Sequence, residues 1–186
     1  MKTNITGISG SRVAYYAAKE IAKNKKTLII VSRADVATRL RDDISFFVQD
    51  RAIFVMPEED ELQIIYEAKD SNSLIQRIRA IDAITSGDKS VVIAPISAAL
   101  KPLQPAQRFT DSIINLEMGM RIDPAELRRK LVALGYVAAS VAASEGEFSA
   151  RGGIVDIFAP NHVDPVRLEF FDDEIDSIRY FDAESQ

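Results

Sequence analysis

Hydrophobic positions in the first part of the chain alternate between two periods. Between Ser11 and Asn24, the residues Val13, Ala14, Ala17, Ala18, Ile21 and Ala22 recur at the spacing of one helical face. Thr27–Val31 (TLIIV) is a short, β-branched apolar run with charged flanks, the pattern of a buried parallel strand. Helical spacing returns over Ala34–Phe47 through Val36, Leu40, Ile44 and Phe47, and Ala52–Met56 reads as a second strand. Ser71–Thr85 predicts a further helix ended by Gly87, Ser90–Ala94 a third strand, and Ser112–Asn115 a fourth. Strands and helices alternating at these intervals predict an α/β module with a mostly parallel sheet.

After about Asn115 the pattern changes. Asp123-Pro124-Ala125-Glu126 is a helix start, with Asp as N-cap, Pro at the first helical position and Glu three residues after the cap. That helix carries Leu127, Leu131 and Leu134 and stops at Gly135. Beyond it, Ile154–Phe158, Val166–Phe171 and Ile175–Phe181 predict antiparallel strands joined by turns. Five of the nine phenylalanines lie past residue 145, a compositional shift that agrees with a second, α+β module. The boundary is expected near 112–120, giving modules of 1–114 and 115–186.

Strand alternation assigns faces in that second module. Leu168 and Phe170 point inward, while Arg167, Glu169 and Phe171 point outward. Arg151 precedes the Gly152-Gly153 turn and is expected on the same side. A large aromatic flanked by opposite charges suits docking to another protein better than it suits catalysis. On this reading Glu169 orients the nearer guanidinium, Arg167 is exposed, and its reversal leaves stability unchanged. The run Asp172-Asp173-Glu174 reads as a solvated turn, since Asp favours such positions.

Composition removes whole classes of chemistry. The chain has no cysteine, so disulfides, thiolate metal sites and cysteine nucleophiles are excluded. The single histidine, His162, lies between Pro160 and Pro165 and reads as a solvated loop residue, so a histidine-based triad or zinc site is not expected. A net charge of -5 and a pI near 5.0 argue against a dedicated nucleic-acid binder. No apolar run is long enough to cross a bilayer and no signal peptide opens the chain, so a cytoplasmic location is expected. The segment Gly7-Ile8-Ser9-Gly10-Ser11-Arg12-Val13-Ala14 sits where a phosphate-binding loop would sit. It has Arg12, Val13 and Ala14 where that loop needs Gly, Lys and a hydroxyl residue. No ammonium reaches the β/γ-phosphates and no hydroxyl holds magnesium, so neither ATP binding nor hydrolysis is expected, and no cofactor is implied.

Together, the failed glycine loop, Gly135-Tyr136, GEFSARGGIVDIF and RLEFFDDEIDSIRYFD resemble the N-terminal region of the bacterial transcription-repair coupling factors. That region is in turn similar to the excision-repair protein UvrB. The likeness is weak over residues 1–110 and specific over 146–182. It implies a helicase-like, P-loop-derived α/β module without ATPase function, followed by a small module that binds UvrA. The residues it matches to the UvrA contact are Arg151, Arg167, Glu169 and Phe171, with Phe170 and Asp172 beside them. Binding of RNA polymerase and DNA is implied only for further domains that nothing here matches, so the chain itself is expected to be non-catalytic. The alternative is a UvrB-like or small P-loop NTPase, which the missing Lys at position 13 opposes. Two departures stand out. Val137 and Ala138 follow Tyr136 where relatives place an Arg, and Pro57-Glu58-Glu59-Asp60 with Tyr66-Glu67 replaces the family's aromatic run.

Overall fold

The computed structural model describes residues 4–58, 71–160 and 162–183. Glu59, Asp60, Tyr66 and Glu67, noted above, lie outside the described residues. The chain divides into two compact units, Met1–Leu103 and Gln104–Gln186.

The first unit is a three-layer α/β arrangement. Its sheet comprises β1 (Lys26–Val31), β2 (Ala52–Val55) and β3 (Ser90–Pro95), in the order β1-β3-β2 with both pairs parallel. The central strand β3 is buried along its whole length, which is why its sequence is continuously apolar instead of alternating. Helices α1 (Ser11–Ile21) and α2 (Ala34–Phe47) close one face, where Ala14, Ile21, Ala37, Ile44 and Val48 pack on Val91 and Ile93. The other face buries Val92, Ala94 and Met56 under Ala80 and Ala83 of α3 (Ser71–Thr85) and Ala98 of α4 (Ile96–Ala99).

Two helix ends in this unit are capped by cations from distant strands. The Lys26 ammonium donates to the carbonyls of Ile84 (2.6 Å) and Ser86, so the end of α3 is closed by a side chain as well as by the turn near Gly87. Arg51, whose side chain is only 4% exposed, donates Nη1 to the carbonyls of Ile21 (3.1 Å) and Asn24 (2.7 Å) beyond α1. Cations at a helix C-terminus satisfy orphan carbonyls and oppose the negative end of the dipole.

In the second unit the expected strand at Ser112–Asn115 is absent. Helix α5 (Ala106–Asp111) instead ends with Ser112 as its C-cap. Ile114 and Leu116 then pack against the second unit's core, so their apolar character serves that core and not a fourth parallel strand.

Helix α6 (Pro124–Ala133) begins as the sequence predicts, with Asp123 Oδ1 accepting from the Ala125 N–H at 2.6 Å and Pro124 at the first position. Glu126 pairs with Lys130 one turn on (2.9 Å). The chain then turns at Gly135, whose φ of 92° is the left-handed region that favours glycine. A mixed sheet follows, in the order β4-β5-β6-β7-β8. Its strands are β4 (Val137–Ala138), β5 (Glu147–Arg151), β6 (Ile154–Ile157), β7 (Val166–Phe171) and β8 (Glu174–Tyr180). The β6–β8 neighbours are antiparallel, as expected; β5, which the sequence pattern did not predict, pairs antiparallel with β6, and the short β4 runs parallel to β5. Leu127 and Leu131 of α6 cover one face, burying Phe148, Val155, Ile157, Leu168 and Ile175 beneath them.

The Arg51 cap is testable. Arg51→Ala should destabilise the chain by about 2 kcal/mol, because the carbonyls of Ile21 and Asn24 lose a charged donor. Arg41→Ala removes only an exposed pair with Asp42, and should cost less than about 0.5 kcal/mol. Urea unfolding of both variants makes the comparison.

Candidate protein-docking face

The sheet face opposite α6 carries the charged residues. Register fixes which side chains share it. Arg151 lies opposite Ile154, Asp156 opposite both Ser149 and Arg167, and Glu169 opposite both Ile154 and Ser177. Arg167 also faces Arg179 across β7–β8. One side of the sheet therefore holds Arg151, Asp156, Arg167, Glu169 and Arg179 in a row of alternating charge across four strands.

Asp156 is the centre of this row. Its side chain is 2% exposed, and Arg167 clamps it with two hydrogen bonds, Nε to Oδ1 at 2.6 Å and Nη2 to Oδ2 at 2.8 Å. Arg151 approaches the same carboxylate at 4.0 Å. Hydrogen bonding to Asp156, aided by its charge, holds the Arg167 guanidinium above its ordinary pKa. The Phe181 ring lies under that guanidinium, 4.5 Å from the ring centroid. Arg167 is consequently only 15% exposed. The expectation of an exposed Arg167, free to be reversed without structural cost, is thus corrected: the carboxylate on the adjacent strand draws it down.

Glu169 orients a guanidinium, as expected, but the one it holds is Arg179. Its Oε1 accepts from Arg179 Nη2 at 2.5 Å, and its Oε2 accepts from the Ser177 hydroxyl at 2.9 Å. Phe171 follows on the same face and is 80% exposed. Phe170 points the other way and packs against the core under α6. Asp172 lies beyond the face, in the two-residue turn between β7 and β8, with φ of 59°. Asp and Asn tolerate that conformation better than other side chains do.

The Gly152-Gly153 pair sets how closely β6 meets β7. A Cβ on Gly153 would lie 3.0 Å from the Phe170 carbonyl oxygen, while the Phe170 N–H donates to the Gly153 carbonyl at 2.7 Å. Gly152, with φ of 59°, makes the turn itself.

Asp156, Arg179 and Phe181 escaped the motif reading. Alternation could have found Asp156, a lone carboxylate in Ile154-Val155-Asp156-Ile157 on the parity opposite Val155 and Ile157. The partner choice of Glu169 could not be found that way, because it depends on a bulge that shifts β8 between the Glu169–Ser177 and Phe170–Ile175 pairs. Among the described residues no cluster of His, Cys, Asp or Glu is arranged to hold a metal ion. No described helix is long and apolar enough to cross a membrane.

Comparison with known proteins gives that face a class. Residues 114–186, most of the second unit, match the family model described as the UvrB interaction domain. The whole chain matches the N-terminal region of the bacterial transcription-repair-coupling factors, as its motifs imply. It is 32% identical over 183 residues to the transcription-repair-coupling factor of Bacillus subtilis strain 168, covering 98% of this chain and 16% of that protein. It is 36% identical over 185 residues to the protein of the same name from Staphylococcus aureus strain USA300, covering 99% of this chain and 16% of the relative. The chain thus spans about a sixth of the length of these relatives.

The Asp156–Arg167 clamp predicts a particular mutational pattern. Arg167→Ala strands a buried carboxylate and should cost about 3–5 kcal/mol, and Asp156→Ala a similar amount. The double variant Asp156→Leu/Arg167→Met removes both charges and should be more stable than either single variant. Chemical denaturation of the three proteins tests this.

Proposed function

We propose that the open face of the second unit binds UvrA, making this chain the docking end of a transcription-repair coupling factor that joins stalled transcription to nucleotide excision repair. The observation that carries this reading is Phe171, an aromatic 80% exposed at the end of a charged row, on a module that matches the UvrB interaction domain. Arg151, Glu169 and Phe171 form the contact, and Arg167 adds the edge of its guanidinium. Phe170 anchors β7 to the core on the other face, and Asp172 holds the turn beside Phe171. Aromatic and arginine anchors dominate protein interfaces because they desolvate a large area with few rotatable bonds.

On the same reading the first unit is a helicase-like module of P-loop descent without nucleotide chemistry. Supporting this, Ala14, the position that would supply magnesium's hydroxyl, is fully buried against the α1–α2 core. The protein acts in the cytoplasm, and contacts to RNA polymerase and DNA fall to the remainder of the longer relatives.

Two measurements bear on this. Phe171→Ala should keep its thermal midpoint yet weaken UvrA binding roughly thirtyfold in titration calorimetry, the effect of losing about 2 kcal/mol. UvrA retained at wild-type affinity would place the site elsewhere. Magnesium-ATP titrated into the chain should give no saturable heat and no phosphate release. Turnover abolished by Arg12→Ala would revive the NTPase alternative.

A further inference from the structure

Arg179 is one of two cations on this face that the structure leaves largely available. In the β7–β8 register it stands directly opposite Arg167, and like charges at such positions repel unless each is drawn aside. Each is drawn to a different carboxylate. Arg167 spends Nε and Nη2 on Asp156 and lies over the Phe181 ring, so it is 15% exposed. Arg179 is 55% exposed and engages only Glu169, through one Nη nitrogen. A guanidinium carries five N–H donors, so most of its hydrogen-bonding capacity remains for another molecule. Glu169, itself held by Ser177, fixes the guanidinium before any partner arrives, and such preorganisation lowers the entropic cost of binding.

We infer that Arg179 is a specificity-determining contact that takes a carboxylate of the docked partner, with Glu169, besides its own contact, holding the guanidinium in position. Arg151, 62% exposed on β5, is the second available cation, on the other side of β7. The complementary surface therefore has an apolar pocket for Phe171 and acidic side chains at two separate places, and the neutralised Arg167–Asp156 pair lies between them. This inference rests on the docking reading above and adds to it the partner's charge pattern.

The test is calorimetric titration of UvrA into the chain carrying Arg179→Glu, Arg179→Gln, the swap Glu169→Arg/Arg179→Glu, or Phe171→Ala, with thermal midpoints measured in parallel. Arg179→Glu should weaken binding about thirtyfold and Arg179→Gln about tenfold with little change in midpoint, as expected for truncating an exposed arginine contact. The swap preserves an ion pair within the sheet but reverses its orientation, so it should not restore binding. Restoration by the swap would make Arg179 merely structural and overturn the inference. Wild-type affinity in the Arg179 variants alongside a loss in Phe171→Ala would overturn this inference alone. Wild-type affinity in all of them would overturn the docking reading and this inference with it.

Discussion

A buried carboxylate on an otherwise open sheet face is the constraint around which the second unit's surface is organised. Asp156 has almost no access to water, and ionised it is tolerated only with a cation in hydrogen-bonding geometry. Arg167 supplies that geometry, and the consequences spread sideways. With Arg167 drawn towards β6, the guanidinium of Arg179 has room to turn to Glu169, and Phe181 finds a flat cation to lie against. The surface chemistry follows from satisfying one interior charge.

The two faces of this sheet obey different rules. Under α6, packing decides: Phe148, Val155, Leu168 and Ile175 fill space against Leu127 and Leu131. On the open face, pairing decides, and the residues there are long, charged and arranged in alternating sign. Phe171 belongs to neither regime. It has no core to enter and no charge to satisfy, and a large apolar ring left in water is the more informative departure from burial rules.

Much of this was legible in the sequence, for identifiable reasons. Period gave α1, α2, α3 and β3, the last because continuous apolar character marks a strand covered on both faces, while the short α4 and α5 and the strand β5 went unread. Capping chemistry gave α6 to the residue, and alternation gave the faces of β7. The misses are equally physical. Ile113-Ile114 read as a strand because β-branching favours one, yet the chain there leaves a helix and feeds a different core. The two-residue β4 carries too little pattern to be seen. Arg167 was placed on the correct face but given the wrong exposure, since alternation reports direction and is blind to a carboxylate on the neighbouring strand. The choice of Arg179 by Glu169 required the bulge, which no local sequence rule encodes.

The margins of this sheet also have a consequence for the manner of recognition. Along the first half of β8, the segment Gly119–Ile122 lies alongside the strand. There the N–H of Gly119 donates to the Ile175 carbonyl, that of Ile175 to Met120, and that of Ile122 to Asp173. At the opposite margin β4 is only two residues long. An extended peptide would find the first half of β8 already paired at one border and only a two-residue strand to extend at the other. Backbone pairing accepts almost any sequence, whereas a side-chain surface discriminates. On the docking reading proposed above, closing half of one border and shortening the other favours partners that match the particular arrangement of ring and charges over any passing strand.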